Sequence, residues 1–357
     1  MDVLRYDEQA IMRLRALYRQ FGYTQYKMSR FEEYELYADN KTFLTSGEII
    51  TFTGAGGKLM ALRPDVTLSI VKNTKDNGTL KKLYYNENVY RPDGYEFREH
   101  MQVGLECIGD LDVYSMGETL ILARRSLETL NMRSCLDVSH MGFINGVLVG
   151  EHLTPEQRAE ILRCISARNM HELNDLCGKY GFSGAFRDRI SKLTELYGPY
   201  SEVIEELKSL NVNEETGSAL EELEAIYGIL QSFKAEKDIN LDFSIVNDLR
   251  YYNGIIFHGY IEGIPAKVLS GGRYDELLRK FGKSTGAIGF AVYLDLLEGI
   301  NQTGGEEEVD VLLIYGSETA AEDLAKEVMS ITDSGKSVRA QRGDPGNIKY
   351  KKIVELL

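Results

Sequence analysis

The spacing of apolar residues near the start of the chain predicts an amphipathic helix. Residues 7–22 carry apolar side chains at intervals of three and four positions, from Ile11 to Phe21, so that they share one helical face. Gly22 is typical of a helix end, because glycine adopts the left-handed backbone conformation there without strain. A helix over 7–22 is therefore expected to open the fold.

Short apolar runs after this helix predict antiparallel strands. The segments 48–53 and 57–62 are separated by a Gly-rich turn region, and the segments 82–90 and 98–109 flank a Pro-Asp-Gly turn at 92–94. Gly and Pro in such short connections are typical of tight turns between neighbouring strands. This part of the chain is therefore predicted to form antiparallel sheet.

The pattern changes to helical spacing in the middle of the chain. Segments 153–169, 188–207 and 218–236 keep an apolar period near that of a helix, and the first contains a Thr-Pro-Glu start signal. Strand-like sequence returns at 240–272. We interpret residues 138–237 as an inserted helical region.

The remainder of the chain predicts the end of the sheet domain, a linker and a small α/β unit. Residues 274–282 predict a short helix, and 285–300 predict a strand that leads into a helix. Residues 301–308 have the composition of a linker. The segments of 309–357 then fit strand, helix, strand and helix, with the last helix expected at 347–357.

Composition and charge exclude several classes of protein. The 357 residues contain 41 Lys and Arg against 55 Asp and Glu, a formal net charge of −14. This excess opposes nonspecific attraction to nucleic acid, because phosphate binding depends on Lys and Arg. The longest apolar runs, at 309–315 and 287–294, are far shorter than the roughly 20 residues of a membrane span. The N-terminus also lacks the apolar core of a secretory signal, so we expect a cytoplasmic protein with no membrane span.

The four cysteines, Cys107, Cys135, Cys164 and Cys177, do not indicate a special chemistry. They form no Cys-x-x-Cys pair, and no histidine lies at a matching metal-ligand spacing. A disulfide framework is not indicated either. We predict buried or unreactive thiols and no metal site.

Four separated stretches carry the strongest functional signal in the sequence. They are LRPDVT at 62–67, YRPDGYEFREHMQVGLE at 90–106, LRYYNGIIF at 249–257 with SGGRYD at 270–275, and AIGFAVYLDLL at 287–297. In this order and spacing they resemble the catalytic core of histidyl-tRNA synthetase, a class II aminoacyl-tRNA synthetase. The ordered set is far more specific than any one of the motifs.

The resemblance implies an α+β fold with a class II synthetase-like core, in which an antiparallel sheet is flanked by helices. It also implies a helical insertion and a small C-terminal α/β unit. The implied divisions are the first part of the core at 1–137, the insertion at 138–237, the second part of the core at 238–300 and a short unit like a truncated anticodon domain at 309–357.

The resemblance further implies a histidine-binding pocket. Arg91 stands where the family binds the amino-acid carboxylate, Asp65 and Thr67 where it binds the ammonium group, and Gln102 where it bridges the two. Asp65 replaces a glutamate and is one methylene shorter. The positions implied for the imidazole are Glu106, Tyr251 and Tyr252, and those implied to support the pocket are Arg98, Gly271, Gly272, Arg273 and Tyr274.

Each of these residues also has a local structural interpretation when it is considered alone. Asp65 beside Pro64 is typical of a turn, Glu106 of a solvated strand carboxylate, and Tyr251 and Tyr252 of opposite faces of one strand. Together they favour a ligand site, because buried carboxylates and guanidinium groups need partners that offset their desolvation.

Departures from the family pattern cluster on the residues that the resemblance assigns to ATP. Pro92, Asp93 and Gly94 replace the segment that would hold adenine, and Leu296 replaces the arginine that would bind the γ-phosphate. Asn247 replaces the arginine of the histidine-specific motif. Each lost charge contact commonly costs about 10²–10³ in rate. We therefore expect no catalytic residues, no synthetase activity and no cofactor.

Two further positions depart from the pattern. Arg250 replaces the acid of the histidine-specific motif, so its charges are rearranged. Ser29 replaces the proline of the first class motif, which belongs to the region that the resemblance assigns to dimer formation.

Within this family the chain resembles the regulatory subunits of short-form ATP phosphoribosyltransferase, which lack the full anticodon-binding domain. This implies histidine as effector, the short catalytic subunit as partner, a homodimer within a hetero-oligomer, and no tRNA. Two alternatives remain open: a divergent enzyme that activates an amino acid, and a scaffold with a vestigial pocket.

Overall fold

The computed structural model describes residues 6–44, 49–76, 78–130, 132–246, 252–297, 308–343 and 346–356. The chain forms two compact units, Met1–Leu296 and Leu297–Leu357. None of the described helices combines the length and apolarity that crossing a bilayer requires.

The larger unit contains eleven of the described α-helices and twelve of the described strands. The helices are α1 (Tyr6–Gln20), α2 (Tyr34–Ala38), α3 (Thr67–Asn73), α4 (Val113–Thr129), α5 (Met141–Leu148), α6 (Pro155–Ser166), α7 (Met170–Tyr180), α8 (Gly184–Glu195), α9 (Tyr200–Leu207), α10 (Glu214–Ser232) and α11 (Asp275–Lys280). The strands are β1 (Thr24–Gln25), β2 (Phe31–Glu33), β3 (Thr51–Thr53), β4 (Leu59–Leu62), β5 (Lys81–Asp93), β6 (Glu96–Gly109), β7 (Ser134–His140), β8 (Tyr197–Pro199), β9 (Ile239–Asp242), β10 (Ile255–Ile261), β11 (Leu269–Arg273) and β12 (Gly286–Tyr293).

The predicted start signal of helix α6 forms the expected cap in the structure. Thr154 caps α6: its hydroxyl accepts from the Gln157 amide at 3.3 Å, and the Gln157 side chain accepts from the Thr154 amide at 2.9 Å. Pro155 occupies the first turn, where its missing N–H leaves no helix bond unmade. The predicted start of this helix is confirmed.

One large sheet forms the centre of the larger unit. Its described strands lie in the order β1-β5-β6-β12-β11-β10-β7-β9-β8. The six strands β5-β6-β12-β11-β10-β7 each run antiparallel to the next one in this order. At the two ends of this group the pairing is parallel, between β1 and β5 and between β7 and β9. The predicted antiparallel core is confirmed, and the complete sheet is mixed.

Strand register places different side chains on the two faces of this sheet. Phe290 of β12 faces α1, where its ring centroid lies 6.0 Å from that of Tyr18. Glu106 of β6 pairs with Gly289 of β12, and the Glu106 side chain projects from the opposite face of the sheet. That second face is covered in part by a buried apolar cluster that includes Val66 and residues of α3. The candidate site lies on this second face.

A small sheet adjoins the site through a fully buried arginine. This sheet has the order β2-β4-β3. Arg63 follows β4 and donates to the Ser29 carbonyl at 2.7 Å, the Glu87 carboxylate at 2.9 Å and the Asn88 carbonyl at 2.8 Å. Because a buried guanidinium must be matched by acceptors, these bonds fix the end of β4 against β5 and position the residues that follow.

The inserted region differs from the prediction at two places. Residues 188–207 were expected to continue as helix, but α8 ends at Glu195 and Tyr197–Pro199 forms β8, which pairs with β9. Gly198 and Pro199 explain the break, because Gly disfavours a helix and Pro removes an amide donor. Strand β7 also spans the expected 137/138 boundary.

The smaller unit corrects the prediction for the end of the chain. It contains β13 (Val309–Tyr315), α12 (Ala321–Asp333), β14 (Val338–Arg342) and β15 (Tyr350–Leu356). The expected final helix at 347–357 is wrong, because β15 pairs in parallel with β13, with Ile353 opposite Leu312. The β-branched pair Ile353 and Val354 favours a strand, and this preference outweighs the apolar spacing.

Candidate functional site

Glu106 lies at the centre of the candidate site. It is 2% exposed, and both of its carboxylate oxygens have hydroxyl partners. Thr67 Oγ1 donates to Oε1 at 2.9 Å, and the Tyr274 hydroxyl donates to Oε2. Burial raises the pKa of Glu106 to about 8, while the two hydroxyl donors act in the opposite direction and the nearby Asp65 carboxylate raises the pKa further. The solvated strand carboxylate considered from sequence is therefore excluded.

Glycines provide the space that this buried carboxylate occupies. A Cβ atom on Gly289 would lie 1.8 Å from Glu106 Oε2 and 2.4 Å from the Leu105 carbonyl oxygen. On the neighbouring strand, a Cβ atom on Gly104 would lie 2.5 Å from the Tyr85 hydroxyl. The sheet surface is thus hollowed at β6 and β12, where any larger residue would displace the acid or the phenol.

Tyr252 forms a wall of the site beside β11. A Cβ atom on Gly272 would lie 2.6 Å from Tyr252 Cδ1, so this glycine makes room for the ring. Burial raises the pKa of Tyr252 well above its usual value, and the Glu106 and Asp65 carboxylates act in the same direction. Tyr251, predicted to share this role, lies outside the described residues.

Asp65, Thr67 and Arg91 meet at the start of α3. Asp65 Oδ1 accepts from the Leu68 amide at 2.8 Å, which satisfies a free donor in the first turn of the helix. Arg91 Nε donates to the Pro64 carbonyl at 3.0 Å. Burial raises the pKa of Asp65, and the Leu68 amide and the Arg91 guanidinium oppose this shift. Asp65 is therefore a turn residue and also a carboxylate of the site.

Gln102 and Tyr293 lie opposite one another on β6 and β12. Gln102 is 4% exposed, on the same face as Glu106. Burial raises the pKa of Tyr293, Arg91 opposes this, and Asp65 adds to it. These side chains extend the site along β6, away from Glu106 and towards Arg91.

The remaining predicted residues occupy different surroundings. Arg98 lies near the end of the β5–β6 hairpin, where its side chain is 57% exposed and its guanidinium is 3.7 Å from Glu96. A Cβ atom on Gly271 would lie 2.4 Å from the Gly289 carbonyl, on the face that carries Phe290. Arg273 Nε donates to Asp275 at 2.8 Å. Tyr274 alone of this supporting group contacts Glu106 among the described hydrogen bonds.

The β5–β6 hairpin, in the region that the resemblance assigns to ATP, has a short turn. Asp93 pairs with Glu96, so the β5–β6 hairpin turns over Gly94 and Tyr95 only. Gly94 has a φ of 63°, which a two-residue turn requires and which glycine adopts freely. This turn is two residues beyond the start of the predicted one at 92–94, because pairing continues through Pro92.

A His–Asp pair links β6 to the turn that follows β12. His100 Nδ1 lies 2.7 Å from Asp295 Oδ2, and both side chains are about one-quarter exposed. Asp295 belongs to a 3₁₀ turn, Leu294–Leu297, that follows β12 and contains Leu296. Leu296, which replaces the arginine that the resemblance assigns to the γ-phosphate, therefore lies in this turn.

Within the described ranges, no three or more His, Cys, Asp or Glu side chains form a cluster that could hold a metal ion. All four cysteines are free, and burial raises the pKa of Cys107 to about 12.

The arrangement suits a small zwitterion with a second hydrogen-bonding group. Arg91 is a planar donor for a carboxylate, Asp65 and Gln102 are acceptors for an ammonium group, and Glu106 is an acceptor at the buried end. Two carboxylates on one largely buried surface need donors from a ligand or from the protein. Groups suited to an anion and groups suited to a cation therefore lie in separate parts of this surface.

Sequence reasoning missed several residues that shape the site. Gly289, Gly104, Tyr85 and Tyr293 enter it through cross-strand pairing between β5, β6 and β12. The register of distant strands is not encoded in a local pattern, so their proximity to Glu106 could not be found that way. The available signals for close approach were the glycines inside two of the quoted stretches, Gly289 in AIGFAVYLDLL and Gly104 in YRPDGYEFREHMQVGLE.

Known proteins resemble this chain in fold and in sequence. Residues 3–297 match a family model described as histidyl-tRNA synthetase. A solved ATP phosphoribosyltransferase regulatory subunit/histidyl-tRNA synthetase from Bacillus halodurans is similar with a TM-score of 0.79 and 26% identity, over 98% of this chain and 93% of that one. The ATP phosphoribosyl transferase (HisG:HisZ) complex from Thermotoga maritima has a chain with the same fold, with a TM-score of 0.65 and 19% identity, over 82% of this chain and 98% of that one.

Sequence relatives give the narrower assignment. The ATP phosphoribosyltransferase regulatory subunit of Thermoanaerobacter pseudethanolicus is 32% identical over 291 residues, which cover 79% of this chain and 75% of that protein. The α+β class II synthetase-like fold and the resemblance found in the motifs are both confirmed. This chain belongs to the family of ATP phosphoribosyltransferase regulatory subunits, which share the fold of histidyl-tRNA synthetase.

Proposed function

We propose that this chain is the regulatory subunit of short-form ATP phosphoribosyltransferase and binds histidine in the site around Glu106. The observation that carries the proposal is the buried Glu106 carboxylate, held by Thr67 and Tyr274 beside the ring of Tyr252. The names of the sequence relatives support the regulatory role and the partnership with a catalytic subunit in histidine biosynthesis.

Histidine fits the distribution of charge and hydrogen-bonding groups in the site. Its carboxylate would meet Arg91, its ammonium group Asp65, Thr67 and Gln102, and its imidazole Glu106 and the tyrosines. Glu106 holds a proton near neutral pH in the free protein, since its pKa is about 8. An imidazole nitrogen can accept that proton or share it, which stabilises the buried carboxylate once the ligand is bound.

We further propose that the chain has no synthetase activity and acts in the cytoplasm as a homodimer within a hetero-oligomer. The two-residue hairpin turn and Leu296 support the first part, because they leave few groups to bind a triphosphate. Regulation then requires that histidine bind one state of the complex better than the other. A coupling of about 1–3 kcal/mol would be typical.

The proposal is tested by reconstitution with the short catalytic subunit. Addition of the wild-type chain should increase condensation of ATP with phosphoribosyl pyrophosphate, and histidine should inhibit the complex. Glu106→Ala should raise the histidine concentration needed for half inhibition by at least about tenfold, because a charged hydrogen-bond partner is lost. Assembly of the variant with the catalytic subunit, measured by analytical ultracentrifugation, should be unchanged.

Glu205→Ala provides a matched control. Glu205 is an exposed acid of α9 that pairs with Lys208. It should leave activation and inhibition at wild-type values. Equal inhibition of the wild-type and Glu106→Ala complexes would contradict the assigned pocket.

A further inference from the structure

The tripeptide Arg273-Tyr274-Asp275 joins the candidate site to other parts of the fold. Tyr274 is 2% exposed and contacts Glu106 directly through its hydroxyl. Its two neighbours make charged contacts elsewhere, at the end of β11 and the start of α11. A displacement of Tyr274 must therefore also move Arg273 and Asp275, because the three residues share one short backbone segment.

Asp275 holds the segment that carries Tyr252. Its Oδ1 accepts from the Ala287 amide at 3.0 Å, and its Oδ2 accepts from Asn253 Nδ2 at 3.1 Å. The Asp275 amide donates in return to Asn253 Oδ1 at 2.9 Å. Since Asn253 directly follows Tyr252, these reciprocal bonds tie the tyrosine wall of the site to α11 and β12.

Arg273 connects the same segment to helix α10. Besides its bond to Asp275, its Nη1 lies 3.7 Å from Glu222 Oε2. Glu222 Oε1 lies 2.9 Å from His140 Nε2. His140 Nδ1 accepts from the Phe143 amide at 3.2 Å, so the neutral ring carries its proton on Nε2 and donates to Glu222. His140 thereby caps α5 and binds α10.

Partial burial makes these charged contacts sensitive to distance. Only 26% of the Arg273 side chain, 23% of that of Glu222 and 7% of that of His140 is exposed. Burial raises the pKa of Glu222, but its contacts with His140 and Arg273 outweigh this, so the pKa is lowered overall. In such surroundings a small change in separation alters the interaction more than it would in water.

We propose that the Arg273–Glu222 pair couples occupancy of the histidine site to the position of α10 and α5. This inference rests on the proposed function. A ligand between Glu106 and Tyr252 must compete for the Tyr274 hydroxyl and displace or order the Tyr252 ring. Either change acts on the ends of the 273–275 segment, and Glu222 transmits it to the helices that pack on α4 and β10. Arg273 and Glu222 are positioning residues that do not touch the ligand.

Glu222→Gln in the reconstituted complex tests this coupling. The amide preserves the side-chain shape and an acceptor for His140 but removes the charge that faces Arg273. Half inhibition should require at least about fivefold more histidine, the lower end of typical allosteric coupling. Calorimetry on the isolated chain should give a histidine affinity within about twofold of wild type, and the melting temperature should change little.

Glu224→Gln is the matched control on the same helix. Glu224 is about half exposed and lies 3.5 Å from Lys208. This variant should behave as wild type in calorimetry and in inhibition.

Arg273→Gln changes the other member of the pair, and it provides the test if Glu222→Gln fails to fold. The double variant should raise the half-inhibiting concentration no further than the larger single effect, because Glu222→Gln removes a contact with Arg273 that Arg273→Gln has already removed. Additive effects would overturn the inference, as would wild-type inhibition in both single variants. Equal loss of affinity and inhibition would also overturn it, since the pair would then support the pocket itself. An absence of histidine inhibition in the wild-type complex would contradict the proposed function and this inference together.

Discussion

The environment of Glu106 disfavours the ionised form of its carboxyl group in the absence of a ligand. Its oxygens face the Thr67 and Tyr274 hydroxyls, and no Lys or Arg pairs with it among the described ion pairs. Two neutral donors offset only part of the desolvation of a carboxylate. A proton or a ligand donor must supply the rest, which explains why such an acid persists in a protein interior.

This environment predicts a pH dependence of stability. The folded-state pKa of Glu106 is about 8, above its ordinary value of 4.5, so between these pH values the folded state holds one more proton than the unfolded state. The contribution of Glu106 to the free energy of unfolding is fully present below pH 4.5. It is lost as pH rises towards 8, by at most about 1.4 kcal/mol per pH unit. Above the folded-state pKa the loss is complete.

Urea unfolding of the wild-type chain and Glu106→Gln, without histidine, at several pH values between 5 and 8 provides the measurement. Gln cannot titrate, so the difference in unfolding free energy between wild type and variant should fall as pH rises. A difference that stays constant across this range would show that Glu106 is already ionised in the folded protein.

At the scale of elements, local signals predicted the pieces of the fold better than their arrangement. The capping sequence at Thr154 and the apolar face from Ile11 to Phe21 specify α6 and α1, because the physical cause of each is local. Strand β15 was misread as helix, because pairing with β13 decides its conformation. The hollow at Glu106 likewise arises from the register of β6 against β12, which lies beyond local patterns.

That register makes Gly289 a sensitive position. Gly289→Ala would place a Cβ atom 1.8 Å from Glu106 Oε2 and 2.4 Å from the Leu105 carbonyl, so the acid and the strand must both shift. We expect a loss of about 1–3 kcal/mol or more in unfolding free energy, with weakened histidine binding. Denaturant unfolding and calorimetry measure these two effects.

Gly228→Ala is the paired control for this substitution. Gly228 lies inside α10, and nothing lies within 4 Å of a Cβ atom added there. The same methyl group should stabilise this helix by roughly 0.5–1 kcal/mol and leave histidine affinity unchanged. Equal effects of the two substitutions would contradict the close approach inferred at β12.

At the scale of the whole molecule, the motif order identified the family and the α+β core, while the geometry refined the site. Thr67, Glu106 and Tyr274 come from α3, β6 and the start of α11, and one hydrogen-bonded group now includes all three. The resemblance implies that Arg98 supports the pocket, and Arg98 lies opposite Arg91 in the pairing of β5 with β6, where 57% of its side chain is exposed. The motif therefore predicted a position on the strands that carry the site, but not the exposure of the side chain.

The proposed function requires that the site around Glu106 bind histidine and that the chain not bind ATP as a synthetase does. Isothermal titration calorimetry of the purified chain with histidine, and in parallel with ATP, measures both properties. We expect saturable histidine binding, with about one site per chain, and no heat of binding with ATP. Binding of ATP, or an absence of histidine binding to both the isolated chain and its complex with the catalytic subunit, would contradict the proposed function.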